Sequence, residues 1–587
     1  MPAEFEPTRW SLVDLIPEPV EPSLEALLGD LDKRTTAFEA LRDRLADTMT
    51  PSEFQDIIRH YEALLSLAYR AYAYAQLLFF SDLKNQAALN LRDRVDQALT
   101  EINNRTLFFT LWVKELSPVA AVRLAPEGDY HHFLQNLLKY KPYTLSESEE
   151  QIINLKDTNG INAIVRLYDM ITSGFMFSVE VDGERKTLTR DQVAALYRHP
   201  SPETRAAAYQ ELFRVYEENS TVLAQIYSHR VRDWHSENMT LRKYAAPISA
   251  RNLNNDIPDE VVNVLLEVCQ DNNDLFQRYF KLKAGWLGGD KLRRYDIYAP
   301  LTSSDKTFGF NESIELIMDS FRSFSPDIAD MAMQVFTDNH IDAEIRPSKR
   351  SGAFCYSVLP GMTPWVHVNY TGKVRDVATL AHELGHAVHG IISADHSLLT
   401  HHPSLPLAET ASVFSEMLLT ERLLAVETDP AVRRDLLANA VDDAYATVQR
   451  QSYFTLFERD AHKKITEGKM VHELCETYLD NLREQYGDAV ELSDDFRWEW
   501  IAIPHIYHTP FYTYAYSFGQ LLVLSIYRQY RREGASFIPR YKKLLAYGGS
   551  KEPAKVLQEA GFDIASSDFW QGGYDVLREM IDDLEQL

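Results

Sequence analysis

The sequence predicts a mainly α protein with a small amount of sheet placed just ahead of its chemistry. Three observations lead there. Apolar residues recur at spacings of three and four over most of the chain, alternating runs are few, and a short strand-like region lies between Ile345 and Tyr370.

The elements follow in order. Residues 1–115 carry helical spacing, as in Ala63, Leu64, Leu65, Leu67 and Ala68 and again over residues 88–99, and Pro51 with Ser52-Glu53 marks a helix start. From Phe175 the pattern changes to alternation around Asp182-Gly183, which predicts a β-hairpin. Helical spacing resumes near Arg190 and runs to about Gly288. Strand-like segments at 351–358 and 365–370 precede further helices, which Gly548-Gly549 and Gly561 interrupt before the C-terminus. There is no repeat, low-complexity tract or long linker.

Composition narrows the function. Among 587 residues, 60 Lys+Arg stand against 86 Asp+Glu, a formal net charge of −26. Such an excess of negative charge opposes binding to nucleic acid or to an anionic membrane. Three cysteines without a CxxC pair build no disulfide framework, which points to a reducing, cytoplasmic setting. The acidic N-terminal segment has no apolar leader. Residues 500–527 carry no Asp, Glu, Lys or Arg, but they include Pro504, His505, His508, Pro510 and five tyrosines. That mixture reads as protein core or the wall of a polar cleft, not as a membrane span.

The chemistry gathers at His382-Glu383-Leu384-Gly385-His386. Histidines at i and i+4 project from one helix face about a turn apart and can share one tetrahedral zinc. Glu383 is then placed to take a proton from water on that ion. Gly385, costly inside a helix, implies that something packs closely there. A third ligand must come from elsewhere. His389 lies too far along the same helix to close a tetrahedron, and Ile392 stands where a metzincin would need histidine. Glu409 is the better candidate, in the first turns of a second, apolar helix that Pro406 can open. Glu416 shares its face, either as an acceptor for a ligand histidine or as a plain salt-bridge partner.

With these residues the chain resembles the oligoendopeptidase F family of thimet-oligopeptidase-like zinc metallopeptidases. The similarity runs from Arg9-Trp10-Ser11 through residues 287–301 and Ser351-Gly352-Ala353-Phe354-Cys355 to the strongest stretch, residues 379–389. The resemblance implies one zinc per chain on His382, His386 and Glu409, with Glu383 as general base. It implies a clam of two helical halves enclosing a channel, with a small sheet beside the zinc helix. It divides the chain into a helical region at 1–115, a family-specific N-terminal domain at 116–200 and a catalytic domain at 201–587. Residues 503–519 resemble the family's His and Tyr cluster: His505 matches best as an oxyanion donor, and Tyr512 and Tyr514 are both candidates for the accompanying tyrosine. The family's more distant members have glycines where this chain has Thr509-Pro510-Phe511.

A sheet edge at Gly352, Ala353 and Phe354 would hold an extended peptide by its main chain, largely regardless of side chains. The expected activity is zinc-assisted cleavage inside short, unstructured peptides. A zinc carboxypeptidase and a non-catalytic peptide-binding protein are the rivals. An aminopeptidase is disfavoured because there is no G-x-M-E-N run.

Overall fold

Thr50 caps the helix that Pro51 opens: its hydroxyl accepts the N–H of Glu53, and the Glu53 carboxylate returns a bond to the Thr50 N–H at 2.8 Å. The helix runs over Pro51–Ser81 and packs with Glu21–Glu39 and Gln86–Glu115, as the apolar spacing predicts. The computed structural model describes residues 5–17, 21–301 and 307–587, so residues 1–4 of the acidic N-terminal segment lie outside it. The protein is mainly helical, 71% helix against 4% strand. Its strands among the described residues are β1 (Phe177–Val181), β2 (Glu184–Leu188), β3 (Leu292–Arg293), β4 (Ile341–Asp342), β5 (Phe354–Tyr356), β6 (Trp365–His367) and β7 (Val490–Glu491). No helix among the described residues is long and apolar enough to cross a membrane.

The chain forms two compact units, each assembled from three segments. This division by contacts differs from the three consecutive stretches read from the sequence.

The first unit comprises Met1–Pro142, Asp305–Ala425 and Gln529–Phe562. Its apolar core joins the N-terminal helices, through Phe38, Phe54 and Phe109, to Val358 and Trp365 beside the sheet. That sheet has the order β4-β6-β5, with β4 parallel and β5 antiparallel to β6. It starts earlier than the sequence predicts, and β5 and β6 are shorter than the strand-like runs. A buried lysine holds it: Lys349 donates to the carbonyls of Asp342 at 2.9 Å and Val368 at 2.7 Å and lies 3.0 Å from the buried Asp342 carboxylate. Position β5 is an edge strand. The helix Val374–Ile392 packs against β5 and β6.

The second unit comprises Tyr143–Ser304, Val426–Arg528 and Asp563–Leu587. It contains the predicted hairpin, in which Val181 pairs with Glu184 across Asp182 and Gly183, both at positive φ. The uncharged stretch at 500–527 is core of this unit: Trp500, Ile506, Tyr507, Phe518 and Leu522 are fully buried. Arg294 and Arg450 converge on the buried Glu499, each at 2.8 Å, and hold its carboxyl low against the opposing effect of burial.

Candidate active site

The helix Val374–Ile392 begins where Asp376 accepts the N–H groups of Thr371 at 2.7 Å and Lys373 at 3.2 Å. Two turns on, His382 and His386 stand on one face, their rings 4.9 Å apart and nearly perpendicular. The expected continuous second helix is broken. A short helix, Leu405–Ala408, ends at Glu409, and a separate one runs over Ser412–Val426. Ser412 secures the break by donating to Glu409 Oε2 at 2.7 Å. Gly385 explains it. A Cβ there would lie 2.6 Å from the Ala411 carbonyl oxygen and 2.7 Å from Ser415 Oγ, so the glycine admits the backbone carrying Glu409 against the motif helix.

Glu409 Oε2 consequently lies 3.4 Å from Nε2 of both His382 and His386. These three residues form a group whose ligand atoms all fall within 4.8 Å of one another. His389 is outside it, buried, with burial pushing its imidazole down to about 3. Glu416 accepts from His382 Nδ1 at 2.5 Å.

The geometry fits a zinc ion. Ligand bonds of about 2.0–2.1 Å set the corners of a tetrahedron about 3.3–3.4 Å apart, and two His with one carboxylate is a catalytic donor set that leaves a position open. Burial alone would lower His382, but the Glu416 hydrogen bond and the charges of Glu416, Glu409 and Glu383 outweigh it and hold the imidazole up at about 9. Burial would raise Glu409, yet His386 and His382 bring it down to about 2. Three carboxylates thus surround the two imidazoles. Glu383 is 6% exposed, and burial raises its carboxyl against the pull of both histidines.

A cavity of about 500 Å³ opens over these groups, lined among others by Ala353, Phe354, Cys355, His382, Glu383 and Glu409. The β5 edge therefore forms one wall of the site. Gly352, at φ +81°, turns the chain just before it, and its carbonyl accepts from Asn369 at 2.9 Å. The Phe354 ring stacks on His367 at 4.9 Å. Cys355 is half-buried, and no cysteine is in a disulfide.

The second unit holds the other sequence candidates. His505 lies on the short helix Pro504–His508 with its ring parallel to that of Tyr512, 6.1 Å away. Burial lowers its imidazole. Tyr514 is not in this cluster: it is fully buried, and its hydroxyl accepts from Asn255 at 2.7 Å. Tyr516, not among the residues singled out from the sequence, has its hydroxyl 3.4 Å from His505 Nε2. Its place in the same tyrosine-rich stretch, four residues after Tyr512, is the signal that could have found it.

Comparison with known proteins gives the class first: a peptidase. The model of peptidase family M3 matches residues 195–576, and that of oligopeptidase F matches residues 126–177. The chain belongs to peptidase family M3. It is 24% identical to oligopeptidase PepF of Bacillus subtilis over 98% of this chain and 87% of that one. With the chromosomal oligoendopeptidase F of Lactococcus lactis subsp. cremoris it shares 28% identity, over 78% of this chain and 77% of the relative. The fold matches a crystal structure from Chlamydophila abortus (TM-score 0.87, 23% identity, 99% of both chains). It also matches oligoendopeptidase-F from Enterococcus faecium (TM-score 0.72, 22% identity, 95% of this chain and 97% of that one).

Proposed function

We propose that this peptidase is a zinc-dependent oligoendopeptidase that holds one zinc per chain on His382, His386 and Glu409 and cuts inside short, unstructured peptides. The observation that carries this reading is the equal 3.4 Å separation of Glu409 from two imidazole nitrogens. When bound, zinc would supply Lewis acidity toward the scissile carbonyl and toward water.

The chain's own groups do the rest. Glu416 takes the Nδ1–H of His382, which leaves the Nε2 lone pair directed to the ligand group. Glu383, made more basic by burial, accepts the proton of the attacking water and delivers it to the leaving amine. The open edge of β5 pairs with the main chain of an extended peptide, which suits broad sequence tolerance. His505 and Tyr512 are assigned as donors to the oxyanion on the family resemblance of their segment. Three free cysteines and the net negative charge suit a cytoplasmic peptidase without nucleic-acid or membrane partners.

Turnover of an internally quenched peptide tests the reading. Activity should vanish with a chelator and return with zinc. Glu383→Gln should keep zinc and lose at least about 10²–10⁴-fold in kcat. Mass spectrometry should show internal cleavage that is indifferent to C-terminal amidation; dependence on a free carboxylate would replace the reading with a carboxypeptidase. The same segment inside a stable domain should resist, since exposing it costs about 5–15 kcal/mol of unfolding free energy.

A further inference from the structure

The segment bearing His505 and Tyr512 is gripped by buried polar and charged groups of its own unit. On the helix Arg450–Thr466, the residues Thr455, Glu458 and His462 share one face at spacings of three and four, and all are buried. Each meets the segment. Thr455 and Thr513 exchange a hydroxyl hydrogen bond at 2.8 Å. Both carboxylate oxygens of Glu458 accept the N–H of Phe511, at 3.0 and 3.2 Å. The His462 ring packs on the Phe511 ring, 4.6 Å away. From the helix Ser220–Trp234, Arg230 donates to the Tyr507 carbonyl at 3.0 Å, and from Ser249–Asn254, Arg251 donates to that of Pro510 at 3.2 Å. Phe511 itself stands at φ +58°, a left-handed conformation that side chains other than glycine seldom adopt.

We propose that Glu458, with Arg230 and Arg251, is a positioning group for the oxyanion donors: a buried charged clamp that holds residues 507–511 in this strained form and so fixes where His505 and Tyr512 stand. The proposal rests on the assignment of those two residues as donors. Packing alone would seat the Phe511 ring, but it would not hold the neighbouring N–H and carbonyls in an unfavourable backbone conformation. Hydrogen bonds to the buried Glu458 carboxyl and from two guanidinium groups do so.

The clamp also titrates in a usable range. Burial pushes Glu458 up to about 8, against the Phe511 N–H, Arg251 and Arg230. Of the other groups around it, burial pushes His462 down to about 3 and keeps the Tyr227 hydroxyl protonated. Burial lowers Arg230 from its ordinary 12.5. Glu458 is thus the member whose charge changes near neutrality.

The test compares His505→Ala, Tyr512→Phe, Glu458→Gln and Arg251→Gln in the full zinc-loaded chain, reading kcat and KM against pH, zinc content and Tm. Glu458→Gln should lower kcat about tenfold or more with KM within about threefold, and should abolish the rise in kcat through about pH 8 expected of the unmodified chain. Should that variant not fold, half-buried Arg251→Gln carries the test with the same split between kcat and KM. Unchanged kcat and pH profile in the folded clamp variants, with His505→Ala and Tyr512→Phe impaired, would overturn the clamp alone. Full activity in His505→Ala and Tyr512→Phe would overturn the donor assignment, and the positioning role with it.

Discussion

Glu416 lies 2.5 Å from Nδ1 of His382, the ring nitrogen remote from the one that faces Glu409. The two carboxylates address one imidazole from its two nitrogens, and the pair comes from either side of the helix break at residues 409–412. Glu416 therefore decides the tautomer and the aim of a residue proposed to hold zinc.

Glu416→Ala should weaken zinc binding about 10–100-fold while all three proposed ligands remain. Glu416→Gln, which keeps an acceptor oxygen, should lose less. Competition with a chromophoric chelator measures both. Unchanged affinity would leave Glu416 with no part in the metal site.

Glu409→Ala should lower zinc occupancy, and His389→Ala should not. Glu409 sits 3.4 Å from both imidazoles, while His389 is buried outside the group. His389→Ala should instead cost stability, about 1–3 kcal/mol, as removal of a buried side chain does. Metal analysis beside thermal melts separates the two effects, and the reverse pattern would require a different third ligand.

Gly385→Ala should both destabilise the protein and weaken metal binding. The new methyl would meet the Ala411 carbonyl oxygen and Ser412 Cα at 2.6 Å, so the backbone bearing Glu409 must move. Overpacking of this kind costs about 1–3 kcal/mol. A variant with normal Tm and normal zinc affinity would show that the close approach is dispensable.

Stability should fall as pH rises from about 4.5 to about 8, in part through Glu458. Its carboxyl has an ordinary value of 4.5 and is pushed up to about 8 by burial in the folded chain. Between these values the folded state holds a proton that the unfolded state has lost, so the slope of unfolding free energy with pH is negative. The contribution is full below about 4.5, declines by at most about 1.4 kcal/mol per pH unit, and is exhausted above about 8. Denaturant melts at several pH values should show a flatter decline for Glu458→Gln. An identical slope would mean that Glu458 is ionised throughout.

The motif pair His382 and His386 and the base Glu383 were readable before folding because their geometry is local: one helix period sets it. The hairpin at Asp182-Gly183 and the helix start at Pro51 are local in the same sense, each specified by turn or cap chemistry within four residues. Glu409 was named as a candidate, but not the break that aims it, since the break answers to a glycine 24 positions earlier. Tyr512, Tyr514 and Tyr516 look alike in sequence. Only packing sends Tyr514 to Asn255 in the core and leaves Tyr512 and Tyr516 around His505.

Glu458 carried no signal at all, because its partner Phe511 is 53 residues away and the contact runs to a backbone N–H that any residue would offer. The sequence by itself determined the helical class, the motif and the chemistry it favours, since periodicity and i,i+4 spacing act over one or two turns. The tertiary structure alone decided the helix break that brings Glu409 to both imidazoles, the separation of Tyr514 from His505 and the buried contacts on residues 507–511. Those depend on groups far apart in the chain meeting at hydrogen-bond distance, and close packing, not spacing, selects which of them meet.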